Sequence, residues 1–94
     1  MSSTIRESSG NVFADLGFDP AEALILQMRA KLMSDLREFI QSSGLTQPAA
    51  AKRLKIPRSR LSDLMSGRWE DFSLEMLITL AARVGCTVTL ELAA

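Results

Sequence analysis

Histidine and tyrosine are absent from this chain, and cysteine occurs once, as Cys86. Without histidine, the commonest general acid–base group and the commonest metal ligand are both missing. One cysteine permits no intrachain disulfide, and with no His/Cys cluster there is no pattern for a metal site. No glycine-rich loop offers a phosphate cradle. The sequence thus predicts no enzyme, no cofactor and no metal. No apolar run approaches the roughly 18–20 residues that a membrane helix needs, so no membrane role is expected. The polar start, MSSTIRESSG, lacks the hydrophobic stretch of a secretory signal, which makes a reducing cytoplasm the expected compartment. Cys86 then reads as a buried structural thiol.

Net charge is missing too, with 11 cations against 11 acids, but the balance conceals segregation. Residues 1–44 carry four cations and six acids, residues 45–68 carry six and one, and residues 69–94 carry one and four. A basic middle between acidic flanks says more about partners than a pI of about 6.2 does. The hydrophobic fraction of 47% argues for a folded chain, and 94 residues suit one domain. A domain this small buries a modest share of its surface, so a partner chain would help to complete its core.

Helical spacing dominates. Residues 1–11 are polar, serine-rich and aperiodic, and read as a flexible lead. Val12, Phe13 and Leu16 fit one helical turn that Gly17 would end. Asp19-Pro-Ala-Glu22 is a strong start signal, with a capping acid, a proline at the first helical position and a capping-box glutamate. The helix it opens should run to about Ser43, with Gly44 as its stop. Its apolar stripe (Ile25, Met28, Leu32, Leu36, Phe39 and Ile40, with a second row of Leu26, Met33 and Ile40) is wide. Its first half therefore has more apolar surface than a small helical core would use. Thr46 caps a second helix whose inward face is Ala50, Ala51 and Leu54. After the turn Lys55-Ile-Pro57, a third helix turns Leu61, Leu64 and Met65 inward. A loop with Trp69 and Phe72 follows. Ser73 then caps a last helix with core spacing at Leu74, Leu77, Ile78, Ala81 and Ala82.

Cys86-Thr-Val-Thr-Leu-Glu-Leu92 alternates as a half-buried strand does. A lone strand leaves its backbone unpaired. It reads either as a frayed tail packed alone on the helices or as one half of a two-stranded ribbon with a second copy, antiparallel across a two-fold axis. On the second reading the dimer interface is Thr87, Val88, Thr89, Leu90, Glu91 and Leu92, with Val88, Leu90 and Leu92 facing the joint core.

Residues 45–68 read as two short helices joined by a tight turn, and a DNA major groove admits one such helix. A helix-turn-helix inserts its second helix with the N-terminal side chains against base edges. Those are Arg58, Ser59 and Arg60, then Ser62 or Asp63 one turn later. Arg58 can fork onto guanine, and Asp63 can accept from cytosine or orient a neighbouring arginine. Gln47, at the start of the first helix, is placed to bond a phosphate. Lys52, Arg53, Lys55 and Arg68 fall at the flanking backbone. The bland alternative is a solvated cationic face on an ordinary helical bundle.

Leu45-Thr-Gln47, Ala51, Ile56, Leu61, Leu64 and Gly67 resemble the helix-turn-helix of the XRE (Cro/C1-type) family, over about residues 32–85. With Asn11-Val-Phe-Ala-Asp-Leu-Gly17, Arg60-Leu-Ser-Asp-Leu-Met-Ser-Gly67, Phe72-Ser-Leu74 and the terminal segment, the set resembles HigA-like antitoxins of type II toxin–antitoxin modules. The resemblance implies a homodimer that binds a palindromic double-stranded DNA operator, represses its own operon and neutralises a RelE/ParE-superfamily toxin. There are two departures. Lys55 stands where the turn usually carries glycine, and Ala49 where many relatives carry glutamate, so the second half of a capping box is missing. Val12, Phe13 and Leu16 admit two readings. They pack locally, beside Phe18 as a staple onto Ala23, or they form a peptide that folds on the toxin.

The expected architecture is therefore all-α: a flexible N-terminal segment at 1–18 with the toxin-binding motif, a helix-turn-helix domain at 19–85, and a C-terminal dimerising β-strand at 86–94. The expected function is sequence-specific repression, with toxin neutralisation as a second role. The rivals are a stand-alone XRE regulator without a toxin and a protein-interaction module that has lost DNA binding.

Overall fold

A computed structural model describes residues 11–93 of the chain. The flexible lead expected at 1–11 lies outside the described residues except for Asn11, and Asn11 is ordered by its role. Its side-chain oxygen accepts from the amides of Phe13 and Ala14 and so caps α1, Val12–Asp15. Its side-chain nitrogen donates to the Ala23 carbonyl at 3.2 Å and to Gln27 Oε1 at 3.3 Å, tying that single turn to the next helix. Four residues cannot hold a helix alone, because nucleation is unfavourable. Here the tertiary bonds hold it.

Asp19 caps α2, Pro20–Ser42, through the amides of Ala21 and Glu22. Thr46 caps α3, Gln47–Leu54, and Ser73 caps α5, Leu74–Arg83. Between them lie α4, Arg58–Met65, and a 3-10 turn at Trp69–Asp71. The long α2 is the spine. It packs on α1, α4, α5 and the 3-10 turn, while α3 packs on α4 and α5. The core is one cluster that includes Met33, Leu36 and Ile40 of α2, Ala50, Ala51 and Leu54 of α3, Leu61 and Leu64 of α4, Phe72, and Leu77, Leu80 and Ala81 of α5. Leu80 belongs to this core although the sequence spacing passed it over, and Ala82, expected inside, is exposed.

The end of α3 holds an unusual backbone conformation. Lys55 has φ 60° and ψ 43°, and among the described residues it is the one non-glycine with positive φ. Its amide reaches Lys52 O at 3.2 Å, and the Ile56 amide reaches Ala51 O at 3.1 Å, the paired bonds that close a helix through a left-handed residue. The same pairing closes α4 around Gly67 and α5 around Gly85, where no Cβ is strained. The missing glycine noted in the sequence is thus absorbed as strain at Lys55 while the turn keeps its form. Lys55→Gly is expected to raise the unfolding free energy by ~0.5 kcal/mol, the relief of left-handed strain less the entropy glycine adds to the unfolded chain. A higher urea midpoint at unchanged slope would show it.

The terminal strand is not present. Residues 86–93 carry no strand, and among the described residues there is no β-structure. The alternation of Cys86 to Leu92 is real, but a ladder needs a second strand to accept and donate, and the described chain supplies none. Cys86 and Val88 are half-buried against the core, whereas Leu90 is 74% exposed and Leu92 fully exposed. The first half of α2 is similarly uncovered. Leu24, Ile25 and Met28, of which the latter two belong to the predicted stripe, remain exposed.

Candidate nucleic-acid interface

α3 and α4 meet across a three-residue turn, Lys55 to Pro57, and their inner faces share the core through Ala51, Leu54, Leu61 and Leu64. Burial of that face fixes the rotational phase of α4. Arg58, Ser59 and Ser62 then point outward and are exposed, with Asp63 and Arg60 half-buried at the flanks. Gln47, at the first position of α3, and Lys52 and Lys55, towards its end, are exposed as well. Gln47, Lys52, Lys55, Arg58, Ser59 and Ser62 make no side-chain hydrogen bond or ion pair among the described residues. That leaves their donors available.

The other four predicted contacts are engaged within the chain. Arg60 Nη2 donates to the Asp71 carbonyl at 2.7 Å, and its guanidinium carbon lies 4.0 Å from the centre of the Phe72 ring. Arg53 Nη2 donates to Val84 O at 3.3 Å while Arg83 Nη1 donates to Leu54 O at 2.9 Å. These two arginines cross-brace the carboxyl ends of α3 and α5, where unpaired carbonyls and the helix dipole favour cations. Arg68 lies 3.9 Å from Asp63 and 3.7 Å from Asp71, both pairs largely exposed and hence weak. Asp63, expected either to accept from cytosine or to orient a neighbouring arginine, lies near Arg68. The phase of α4 was legible in the sequence. The contacts of Arg53, Arg60 and Arg83 were not, because they join residues 11 to 31 positions apart.

Across residues 12–93 the chain matches the family described as a helix-turn-helix domain. The chain belongs to the helix-turn-helix domain family. A search of curated proteins found no match. The match takes in α1 and residues 86–93 as well as the α3–turn–α4 pair, so in this helix-turn-helix domain both appendages are part of the family's unit. A helix-turn-helix domain points to a DNA-binding regulator, and no helix among the described residues is long and apolar enough to cross a membrane.

Two arginines of α2 that the sequence pattern does not mark reach the helix-turn-helix region, and of these Arg29 braces it. Arg29 donates to the carbonyls of Phe72 at 3.0 Å, Trp69 at 3.0 Å and Glu70 at 3.2 Å, and stacks 5.4 Å from the Trp69 ring centre. Arg37 lies beneath Gly67, where an added Cβ would stand 3.2 Å from its Nη1. Both sit in the acid-rich first half of the chain, away from the basic segment 45–68, so only their reach across the fold reveals them. Of the three residues predicted to meet a toxin, Val12 and Leu16 are exposed, at 59% and 70%. Phe13 is half-buried, edge-on to Trp69 at 5.2 Å and to Phe18 at 6.1 Å. The six residues predicted to pair with a second copy lie in the irregular tail. Apart from half-buried Val88, they are exposed.

Proposed function

We propose that the protein is a sequence-specific DNA-binding repressor that acts as a homodimer and serves as the antitoxin of a type II toxin–antitoxin module, neutralising a RelE/ParE-like toxin. The observation that carries the DNA-binding reading is the outward row Arg58, Ser59 and Ser62 on a helix locked by its buried face. Unpaired Lys52, Lys55 and Gln47 flank it. This is the arrangement that puts base-reading groups in a groove between cations for phosphate. Repression would be steric, by occupation of a site overlapping a promoter.

Dimerisation is supported by the β-alternating tail, whose residues 87–93 make no backbone hydrogen bond among the described residues, and by Leu90 and Leu92 left in solvent. A second copy of the tail would satisfy the amides and cover the leucines together. Two reading helices related by a two-fold axis would call for half-sites about one helical turn, ~34 Å, apart. The toxin reading rests on the resemblance to HigA-like antitoxins and on the exposed Val12 and Leu16 beside the acids Asp15, Asp19 and Glu22. An acidic, apolar patch complements the basic site of an RNA-cleaving toxin.

The test of DNA binding is anisotropy with a duplex from immediately upstream of the gene, over a range of salt. Counterion release predicts a steep linear fall of log K with log salt. Lys52→Ala should weaken specific and random duplexes alike and flatten the slope by about 1, as loss of one phosphate contact does. A salt-independent or undetectable interaction would leave a protein-interaction module as the better description. Co-purification with a small basic protein encoded by the adjacent gene would separate the antitoxin from a stand-alone regulator.

A further inference from the structure

The first turn of α4 carries the reading residues yet has no side-chain cap, since Pro57 stands at its N-cap position and offers none. Leu61 and Leu64 set its phase from the core side, and its uncapped first turn is steadied by contacts from outside the helix. Arg60 supplies them by gripping the 69–72 segment, through the Asp71 carbonyl at 2.7 Å and the face of Phe72 at 4.0 Å. That segment is held in turn by Arg29, whose guanidinium takes three of its carbonyls and lies against Trp69. On Trp69 rests the ring of Phe13, edge-on at 5.2 Å, from α1. A continuous run of contacts thus leads from the N-terminal turn to the amino end of the reading helix, joining residues 40 or more positions apart at the Arg29 step.

We propose that Phe13 is a positioning residue for operator reading. α1 docks it on Trp69, and Trp69, Arg29 and Phe72 together fix Arg60 and with it the orientation of Arg58 and Ser59. The proposal rests on the DNA-binding reading above. Phe13 touches no DNA on this account, since its ring is engaged with Trp69 and Phe18. Its loss therefore acts on specificity. Base contacts depend on the orientation of α4, whereas phosphate contacts by long, flexible lysines adapt to small displacements. Arg60, read from sequence alone as a base contact, becomes the link that transmits the position of the 69–72 segment to α4.

The experiment uses the full chain and a duplex selected by the wild-type protein from a random pool, with an unselected duplex of equal length beside it. Far-UV circular dichroism first shows that each variant retains its helices at the assay temperature. Phe13→Ala is expected to lose about tenfold in affinity for the selected duplex, in the range that residues off the contact surface produce, and nothing for the unselected one. Phe13→Tyr, which keeps a ring edge against Trp69, is expected to bind both as wild type does. Trp69 is the only tryptophan and tyrosine is absent, so a red-shifted emission in Phe13→Ala reports directly that the contact has opened. Unchanged affinity of Phe13→Ala for the selected duplex overturns the proposal. So does an equal loss on both duplexes, which would mark a general structural role. If the wild-type protein enriches no sequence, the DNA-binding reading itself falls, and the proposal with it.

Discussion

Replacing Phe72 with Ala is expected to destabilise the protein by ~3–5 kcal/mol, the usual cost of removing a fully buried aromatic ring. A chain of this size typically holds only ~5–14 kcal/mol in all, so the variant should unfold at a far lower urea concentration. The ring has 0% exposure and belongs to the single core cluster shared by α2, α3, α4 and α5. Its loss opens a cavity between these helices and also removes the surface on which Arg60 lies. Phe72→Leu keeps most of the apolar volume and loses the cation–π contact with some packing, so its cost should be much smaller. Chemical denaturation of the three proteins side by side checks both statements. Equal stability of Phe72→Ala and wild type would mean that the core is not arranged as described.

Arg58→Ala carries the second large effect, and here the expected loss is in recognition. Arg58 opens α4, is exposed, and has no partner among the described residues, so its removal should leave stability within ~0.5 kcal/mol of wild type. If its guanidinium forks onto a guanine, the loss is ~1–3 kcal/mol on the specific duplex, concentrated at one base position. Arg58→Lys should not restore it, because an ammonium cannot reproduce the planar bidentate fork. Competition binding against duplexes substituted at each position measures the pattern. A loss spread equally over specific and random DNA would reassign Arg58 to a phosphate.

The contrast between Arg58 and Arg60 shows how far a sequence reads into an interface. Helical phase placed both near the outer face of α4, since Leu61 and Leu64 had to go inward, and burial follows that phase. What phase does not give is the direction of a long side chain. Arg60 turns back to a carbonyl and a ring 11 and 12 positions away. Arg53 does the same, reaching a carbonyl 31 positions away, whereas Lys52, its neighbour, stays in solvent. An unpaired carbonyl at a helix end is a strong acceptor, and whether one lies within reach of an arginine is a property of packing.

Phe13 and the tail show the same limit in opposite directions. The apolar turn at Val12 to Leu16 was visible as a pattern, and α1 forms where it was expected. Nothing local assigned Phe13 to Trp69 and left Val12 and Leu16 to solvent. In the tail, alternation from Cys86 to Leu92 described a strand, and residues 86–93 contain none. A helix closes its hydrogen bonds within its own segment, whereas a strand must find them elsewhere.

That difference separates what the sequence determined by itself from what tertiary structure decided. Asp19, Thr46 and Ser73 start their helices, and Gly44, Gly67 and Gly85 follow where helices stop. The spacing of Ala51, Leu54, Leu61 and Leu64 set the buried face and hence the outward row that begins with Arg58. All of these follow from interactions within a few residues along the chain. The arginine braces, the docking of Phe13 on Trp69 and the fate of the tail depend on which groups meet across the fold. These contacts join distant residues once loop closure brings the helices together, so they were decided by packing alone.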